Sequence, residues 1–407
     1  MILFWIFAGI ALIGITAYLF QIIALRSYTA PINSGEGKYL PRPFPHVSIL
    51  KPLKGIDDGL FDNLESFCRL DYPRYEIIFA LQNQNDPAYK VVKKVKEKYQ
   101  SLDISIVVEY CDEGLNPKIN NLMPAYKKAK YDLILISDSN VRAEKNYLTD
   151  ITRHMEDSSV GLVSNIIRGV SGRSIGAVFE NLHLNSFIAG SVCLLDRFLG
   201  MPCVVGKSMM FRKSDLEATG GLTAVKDHLA EDYVIGEKIH RLGKRVVLSN
   251  HLINNVNEYW TVGRFLNRHS RWGKMRWKIG GAKYVSELFG NPVFISFAAF
   301  FMLPFSKTML CLTALVSALK IVGDFYVGRM MKAGMHPALY LLAPLKDIII
   351  GFVWFVPILS DTVSWRGNRY IIGRGSILSP HPDTVPRSWK PGFVTTIRAK
   401  LAWSKTI

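Results

Sequence analysis

Asp132-Leu133-Ile134-Leu135-Ile136-Ser137-Asp138-Ser139-Asn140 is an unbroken apolar run that stops on an acid, a hydroxyl and an amide. A short run of this kind has the pattern of a strand buried on both faces. In an α/β sheet the carboxyl end of such a strand opens onto the ligand crevice, which puts Asp138 at the mouth of a site with its charge unburied. Asp, Ser and Asn also bend and cap chains, and on this stretch alone an ordinary turn is the simpler reading.

The neighbouring sequence repeats the strand pattern at regular intervals. Val47-Ser48-Ile49-Leu50 runs into Lys51-Pro52-Leu53-Lys54-Gly55, where Pro52 ends the ladder between two lysines. Those lysines suit either a nucleotide or a solvated turn. Leu60, Leu64, Phe67 and Cys68 have helical spacing, Tyr72-Pro73 breaks it, and Tyr75 to Leu81 is a second strand closed by Gln82-Asn83-Gln84-Asn85-Asp86-Pro87. A helix from Pro87 to Tyr99, a strand at Ile104 to Val108 and a helix from Pro117 to Lys130 lead to the opening stretch. Strands alternating with helices of this length predict an α/β fold, Rossmann-like, with a mostly parallel central sheet. No G-x-G-x-x-G follows the first strand and no G-x-x-x-x-G-K-S/T occurs, which argues against a dinucleotide cofactor and against P-loop chemistry.

Beyond Asp138, Val160 to Ile166, Cys203 to Phe211 and Arg245 to Ser249 read as further strands. The helix between Ala230 and Gly243 carries Glu231-Asp232 in its first turn, where acids favour the positive helix end whether or not they serve a reaction. From Tyr259 to Lys283 cationic residues alternate with aromatic and apolar ones, among them Arg268, Arg271 and Trp272, as in a basic amphipathic helix at a membrane interface.

The ends of the chain place this domain at a bilayer. Residues 1–25 carry no charge, and at about 1.5 Å per residue a helix of that length exceeds the roughly 30 Å of a hydrocarbon core. They lack the basic start and cleavage site of a signal peptide. Residues 1–26 therefore read as a retained anchor and 27–46, rich in proline and glycine, as a linker. The soluble domain follows at 47–257, the interface helix at 258–289, transmembrane or re-entrant helices at 290–360 and a basic tail at 361–407. That tail holds eight Lys or Arg against Asp361 and Asp383, which puts it and the catalytic domain on the cytosolic side. The net charge of +17 is spread along the chain and gathers beside apolar segments, as expected next to anionic lipid rather than nucleic acid. Five scattered cysteines form no CxxC and pair with no histidine pattern, which argues against a zinc site and suits a reducing compartment.

Eight pieces in order, VSILKPLKG, NLESFCRLDYP, QNQNDPA, NPKINNLMP, DLILISDSN, GKSMMFRK, AEDY and RHSRW, resemble the membrane-bound ceramide glucosyltransferases and their bacterial relatives, including the hopanoid-associated glycosyltransferases. The resemblance spans Val47 to Phe289 and implies a glycosyltransferase-A fold, a UDP-sugar donor and a ceramide-like membrane lipid as acceptor. It also implies that Asp138 is the metal-associated aspartate, bound to Mg2+ or Mn2+, and that Asp232 is the catalytic base. Arg268, Arg271 and Trp272 match the motif near the diphosphate and acceptor, and Lys51 and Lys118 match nucleotide-side contacts.

Inverting sugar transfer needs a carboxylate beside the acceptor hydroxyl, and positive charge at the departing diphosphate. The chain departs from the pattern at Asn83, where the family has an aspartate, leaving Asp86 as the later acid, and at Asn140, which supplies no second carboxylate. An amide still hydrogen-bonds a uracil or ribose but brings no charge to a metal. A hopanoid or other lipid glycosyltransferase, a polysaccharide synthase and a non-catalytic binder of sugar nucleotide or lipid are the competing readings.

Overall fold

The structure, a computed structural model, describes residues 2–30, 44–201, 203–303 and 306–384. Helix α1 is Ile2–Thr29. The alternating half of the domain consists of β1 Val47–Pro52, α2 Leu60–Cys68, β2 Tyr75–Leu81, α3 Ala88–Lys98, β3 Asp103–Val108, α4 Pro117–Lys128 and β4 Leu133–Ser137. The second half follows with β5 Val141–Arg142, α5 Tyr147–Thr152 and β6 Val160–Val170, then α6 Ile175–His183, which passes through a wide turn into α7 Ala189–Leu199. It ends with β7 Ser208–Arg212, α8 Lys213–Glu217, α9 Glu231–Arg241 and β8 Arg245–Val256.

These eight strands form one sheet in the order β3-β2-β1-β4-β7-β6-β8-β5. Strands β1 to β4 are mutually parallel, β7 is antiparallel to both its neighbours, and β6 and β8 run parallel. The chain winds outward from β1 to β3 and then returns to β4 on the other side of β1. That reversal makes the carboxyl ends of β1 and β4 a topological switch point, where a crevice opens. Leu50 of β1 faces Ile136 of β4 in register, and Asp138 follows just past the last pair.

Side-chain alternation divides the core between the two faces of the sheet. Ile49 and Leu135 join Leu64, Phe67 and Val92 beneath α2 and α3. Leu50, Ile134 and Ile136 join Ile119, Leu122 and Ile235 beneath α4 and α9. With both faces covered, the strands read as continuous apolar runs, which is why the sequence located them well. The strand expected at 203–211 is shorter, because Gly206 and Lys207 turn toward the crevice before the ladder begins at Ser208.

The remaining helices are α10 Val262–Gly280, α11 Ser286–Phe289, α12 Pro292–Met302, α13 Lys307–Met330, α14 Ala343–Val353 and α15 Val356–Leu359. Among the described residues four helical stretches are long and apolar enough to cross a membrane, at 2–29, 175–199, 307–330 and 337–359, and the bent pair 262–289 and 292–302, which turns by 69°, adds a fifth if counted as one span. The stretch at 175–199 went unread in the sequence. Glu180, His183, Asp196 and Arg197 dilute its apolar signal, and two-thirds (67%) of an 18-residue apolar window in it is buried inside the protein, against α1 and α10 among others.

The proposed linker falls largely at 31–43, outside the described residues, as does the tail beyond 384. The part of that tail that is described is folded. Strands β9 Thr362–Trp365, β10 Asn368–Ile372 and β11 Leu378–Pro380 form an antiparallel sheet. It docks on the segment before α9, where the Leu229 amide donates to the Ser376 carbonyl at 2.8 Å and the Leu378 amide to the Asp227 carbonyl at 2.7 Å. Its arginines masked this in the sequence, although Val363, Tyr370, Ile372 and Leu378 form a small core with Leu229.

Candidate active site

The NPKINN segment builds one wall of the crevice. Asn116 caps α4, its Oδ1 accepting from the amides of Lys118 and Ile119, and Pro117 takes the first helical position, where a missing N–H costs nothing. The Asn116 side-chain amide donates to the His228 carbonyl and to Glu231 Oε2 at 3.1 Å, tying α4 to the start of α9. Asn121 donates to the Leu53 carbonyl and so ties the same helix to the end of β1.

Lys118 extends from this cap into the crevice. Its Nζ lies 3.0 Å from Asp138 Oδ1, 2.9 Å from Glu231 Oε1 and 3.0 Å from the Gly206 carbonyl oxygen. One ammonium thus uses all three donors to join the end of β4, the start of α9 and the loop before β7. Asp138 is also paired through Oδ2 with Lys207 Nζ at 2.9 Å, and Lys207 reaches Asn140 Oδ1 at 3.1 Å. Burial alone would raise the Asp138 pKa, but Lys118 and Lys207 hold it well below the usual carboxylate range. Burial pushes Lys207 down to about 8, opposed by Asp138 and reinforced by Arg268 and Lys118, so the Arg268 charge also lies close to this cluster.

Asp232 stands beside Glu231 in the first turn of α9. Its Oδ2 accepts from the Gly206 amide at 2.7 Å and its Oδ1 from the Tyr233 amide at 2.9 Å. Burial and the adjacent Glu231 raise its pKa to about 6, against the pull of Lys118. A side chain at Gly206 would place Cβ 2.3 Å from Asp232 Oδ2 and 2.8 Å from Asp232 Cβ, so only glycine permits this approach.

The structure brings Asp138, Lys118 and Asp232 together and assigns other tasks to three residues selected from the sequence. Lys51 is fully buried. Its Nζ donates to the Asp138 carbonyl at 2.7 Å and to Ser137 Oγ and sits 3.8 Å above the Phe67 ring, so it braces the strand ends from beneath instead of facing a nucleotide. Asp86 accepts from the Gly55 and Ala88 amides, which commits its carboxylate to holding two loops. Asn83 is exposed and accepts from the Asn85 amide.

Arg268 lies between the rings of Trp260 and Trp272, 4.7 Å from each centroid, with Nη1 2.7 Å from Glu180 Oε1. Arg271 lies 5.7 Å from the Trp365 ring of β9. Glu180, Lys207 and Asp57 were missed in the sequence. Lys207 lay inside GKSMMFRK, and Glu180 was detectable only as a lone acid in an apolar stretch. Asp57 accepts from Ser139 Oγ and pairs with Arg264 at 3.4 Å and Arg366 at 3.9 Å, linking the crevice rim to α10 and to the β9–β10 turn.

The carboxylates here are Asp138, Glu231 and Asp232, and Lys118 already holds the first two. Asp138 is 23% exposed at the crevice, and among the described residues no three His, Cys, Asp or Glu side chains cluster to hold an ion. This donor set fits an ion of the magnesium type, which binds through one or two carboxylates and takes its other ligands from substrate phosphates and water. Such an ion would have to displace a lysine from Asp138.

A family model for glycosyl transferase family 21 matches residues 6–378. The chain is 30% identical to ceramide glucosyltransferase 3 of Caenorhabditis elegans over 376 residues, covering 89% of this chain and 80% of that protein. It is also 30% identical to ceramide glucosyltransferase 1 of the same organism, covering 91% of this chain and 81% of that protein. A mannosyltransferase from Pyrobaculum calidifontis, solved in complex with GDP-Man and Mn2+, superposes with a TM-score of 0.47 at 15% identity over 86% of this chain and 99% of its own. With a family model that spans nearly the whole sequence and two relatives at 30% identity, the chain belongs to glycosyl transferase family 21.

Proposed function

We propose that this protein is an inverting, UDP-sugar-dependent lipid glycosyltransferase. It moves glucose, or a related hexose, onto the hydroxyl of a ceramide-type lipid at the cytosolic face of a membrane. The relatives named above supply the donor and acceptor classes. The observation that carries the reaction is the Lys118 ammonium between Asp138 and Glu231, which sets a phosphate-facing cluster beside the raised carboxylate of Asp232.

In this reading the donor lies in the crevice at the ends of β1 and β4, its diphosphate toward Lys207, Lys118 and Arg271. Asp232 takes the proton from the acceptor hydroxyl. That oxygen bonds to the anomeric carbon from the face opposite the diphosphate, and the carbon–oxygen bond to UDP breaks with its electron pair going to the diphosphate. Magnesium or manganese entering with the donor would be held by Asp138 and would add positive charge at the leaving group. The lysines act in the same sense, as fixed cations aimed at developing negative charge.

Four outcomes are expected. The base works only when deprotonated, so transfer falls as pH drops through about 6. Asp232→Asn should lower kcat by at least roughly 100-fold, the lower end of what a positioned general base contributes, with UDP-sugar binding by calorimetry unchanged. Undiminished turnover in that variant removes Asp232 as the base. Gly206→Ala, whose new methyl displaces the carboxylate, should lower kcat while UDP-sugar affinity is kept; an unchanged kcat contradicts the anchoring role. Lys207→Met removes the ammonium that shares Asp138 and should lower the Mn2+ concentration giving half-maximal activity several-fold; an unchanged requirement separates Lys207 from any metal position.

A further inference from the structure

Behind Glu180 lies a cavity among α1, α6, α10, α11, α13 and α14. Its cavity volume is about 40 Å³, and His183, His269, Lys320 and Asp347 line it. None of these residues belongs to the reaction described above. The cavity is nevertheless one side chain away from it, because Glu180 pairs through Oε1 with Arg268 and through Oε2 with His269 Nε2 at 2.8 Å.

The cavity has two chemical properties that together limit its ligand. Its charges are already balanced: Arg276 pairs with Glu287 at 2.8 Å, and Lys320 contacts Asp324 and lies 3.6 Å from Asp347, which Lys346 also contacts. A ligand carrying net charge would leave one of these ions uncompensated at low dielectric, at high cost. Two side chains that line it also carry polar atoms without a partner, His183 Nδ1 and His269 Nδ1, and both side chains are more than nine-tenths buried. With Nε2 donating to Glu180, the neutral His269 ring offers Nδ1 as an acceptor. A buried acceptor without a donor favours a ligand that brings an N–H or O–H group. Tyr284 and Trp354, stacked in parallel with centroids 5.3 Å apart, add an aromatic wall.

We infer that this cavity binds the polar head of the acceptor, an uncharged lipid head with amide and hydroxyl donors. A phosphate head, which is charged and offers only acceptors when ionised, matches neither property. The assignment rests on the lipid-transferase reading and adds where the acceptor is held. The amide and the unreacting hydroxyl occupy the cavity, and the reacting hydroxyl lies on the Glu180 side, toward Arg268 and Asp232. Glu180 is then a positioning residue shared by the donor and acceptor halves.

The test is photolabelling of the purified full chain in nanodiscs with a ceramide that carries a diazirine beside its amide, mapped by mass spectrometry. Label is expected on Ile350 to Trp354, competed by unlabelled ceramide and not by phosphatidylcholine. Label confined to other segments overturns the assignment. In steady-state transfer, His183→Phe keeps the ring and removes its nitrogens. It should raise the ceramide KM roughly 3- to 10-fold, as for one lost hydrogen bond, with the UDP-glucose KM unchanged. Ile350→Trp, which fills the cavity, should suppress both labelling and transfer while donor binding persists. If both variants label and transfer as the parent does, the cavity is not the acceptor site. Labelling needs no turnover: a protein labelled at Ile350 to Trp354 that transfers no sugar keeps the cavity and loses the enzymatic reading, whereas transfer without such label does the reverse.

Discussion

The Lys118 ammonium is the contact on which the rest of the site depends. Three oxygens from three separate elements converge on it: Asp138 after β4, Glu231 at the head of α9 and the Gly206 carbonyl before β7. Removing charges from water is costly, and in a buried cluster the cost is offset only when every proton and lone pair finds a partner. The cap at Asn116, the glycine at 206 and the brace at Lys51 meet that condition by fixing where the three elements end. The same constraint places Asp232, since its neighbour Glu231 is held by Lys118 and its own oxygen by the Gly206 amide.

Much of the fold was legible because the central strands are covered on both faces. Stretches such as LILIS and YEIIFAL are apolar throughout and bounded by breakers, so strand position could be read without any tertiary information. Residues whose role depends on long-range pairing could not be read that way. Lys51 looked like a ligand contact because it stands at a strand end, and its inward turn onto Phe67 and the Asp138 carbonyl follows only from how β1 and β4 lie together. Asp86 resembled a replacement acid, but its oxygens are committed to two loop amides. The sheet at 362–380 was hidden by its arginines, and the helix at 175–199 by polar residues such as Glu180, which is paired inside the protein with Arg268 and His269. Of the site itself, Asp138, Asp232 and Lys118 were visible through motif order, whereas Lys207 and Glu180 needed coordinates.

The architecture also accounts for how a water-soluble nucleotide and a membrane lipid could meet in one site. The switch point of the sheet gathers the cations Lys118 and Lys207, where the donor is proposed to bind, while α6 and α10 bring Glu180, Arg268 and His269 together at the border between the sheet domain and the apolar helices. Arg268 is fixed by Trp260 and Trp272 on its two sides, which limits it to one orientation. The basic, tryptophan-rich helix that the sequence suggested for a lipid surface thus spends several of its aromatic and basic residues on internal packing against α6 and β9.

The central claim is that Asp232 activates an acceptor hydroxyl for attack opposite a diphosphate held at the Asp138 cluster. The most direct measurement is the anomeric configuration of the first product formed from UDP-α-glucose and ceramide, read by proton NMR. A β-glucoside, absent when Asp232→Asn replaces the parent protein, is the predicted result. An α-glucoside would contradict the account, because retention cannot arise from the single displacement that this geometry is proposed to perform.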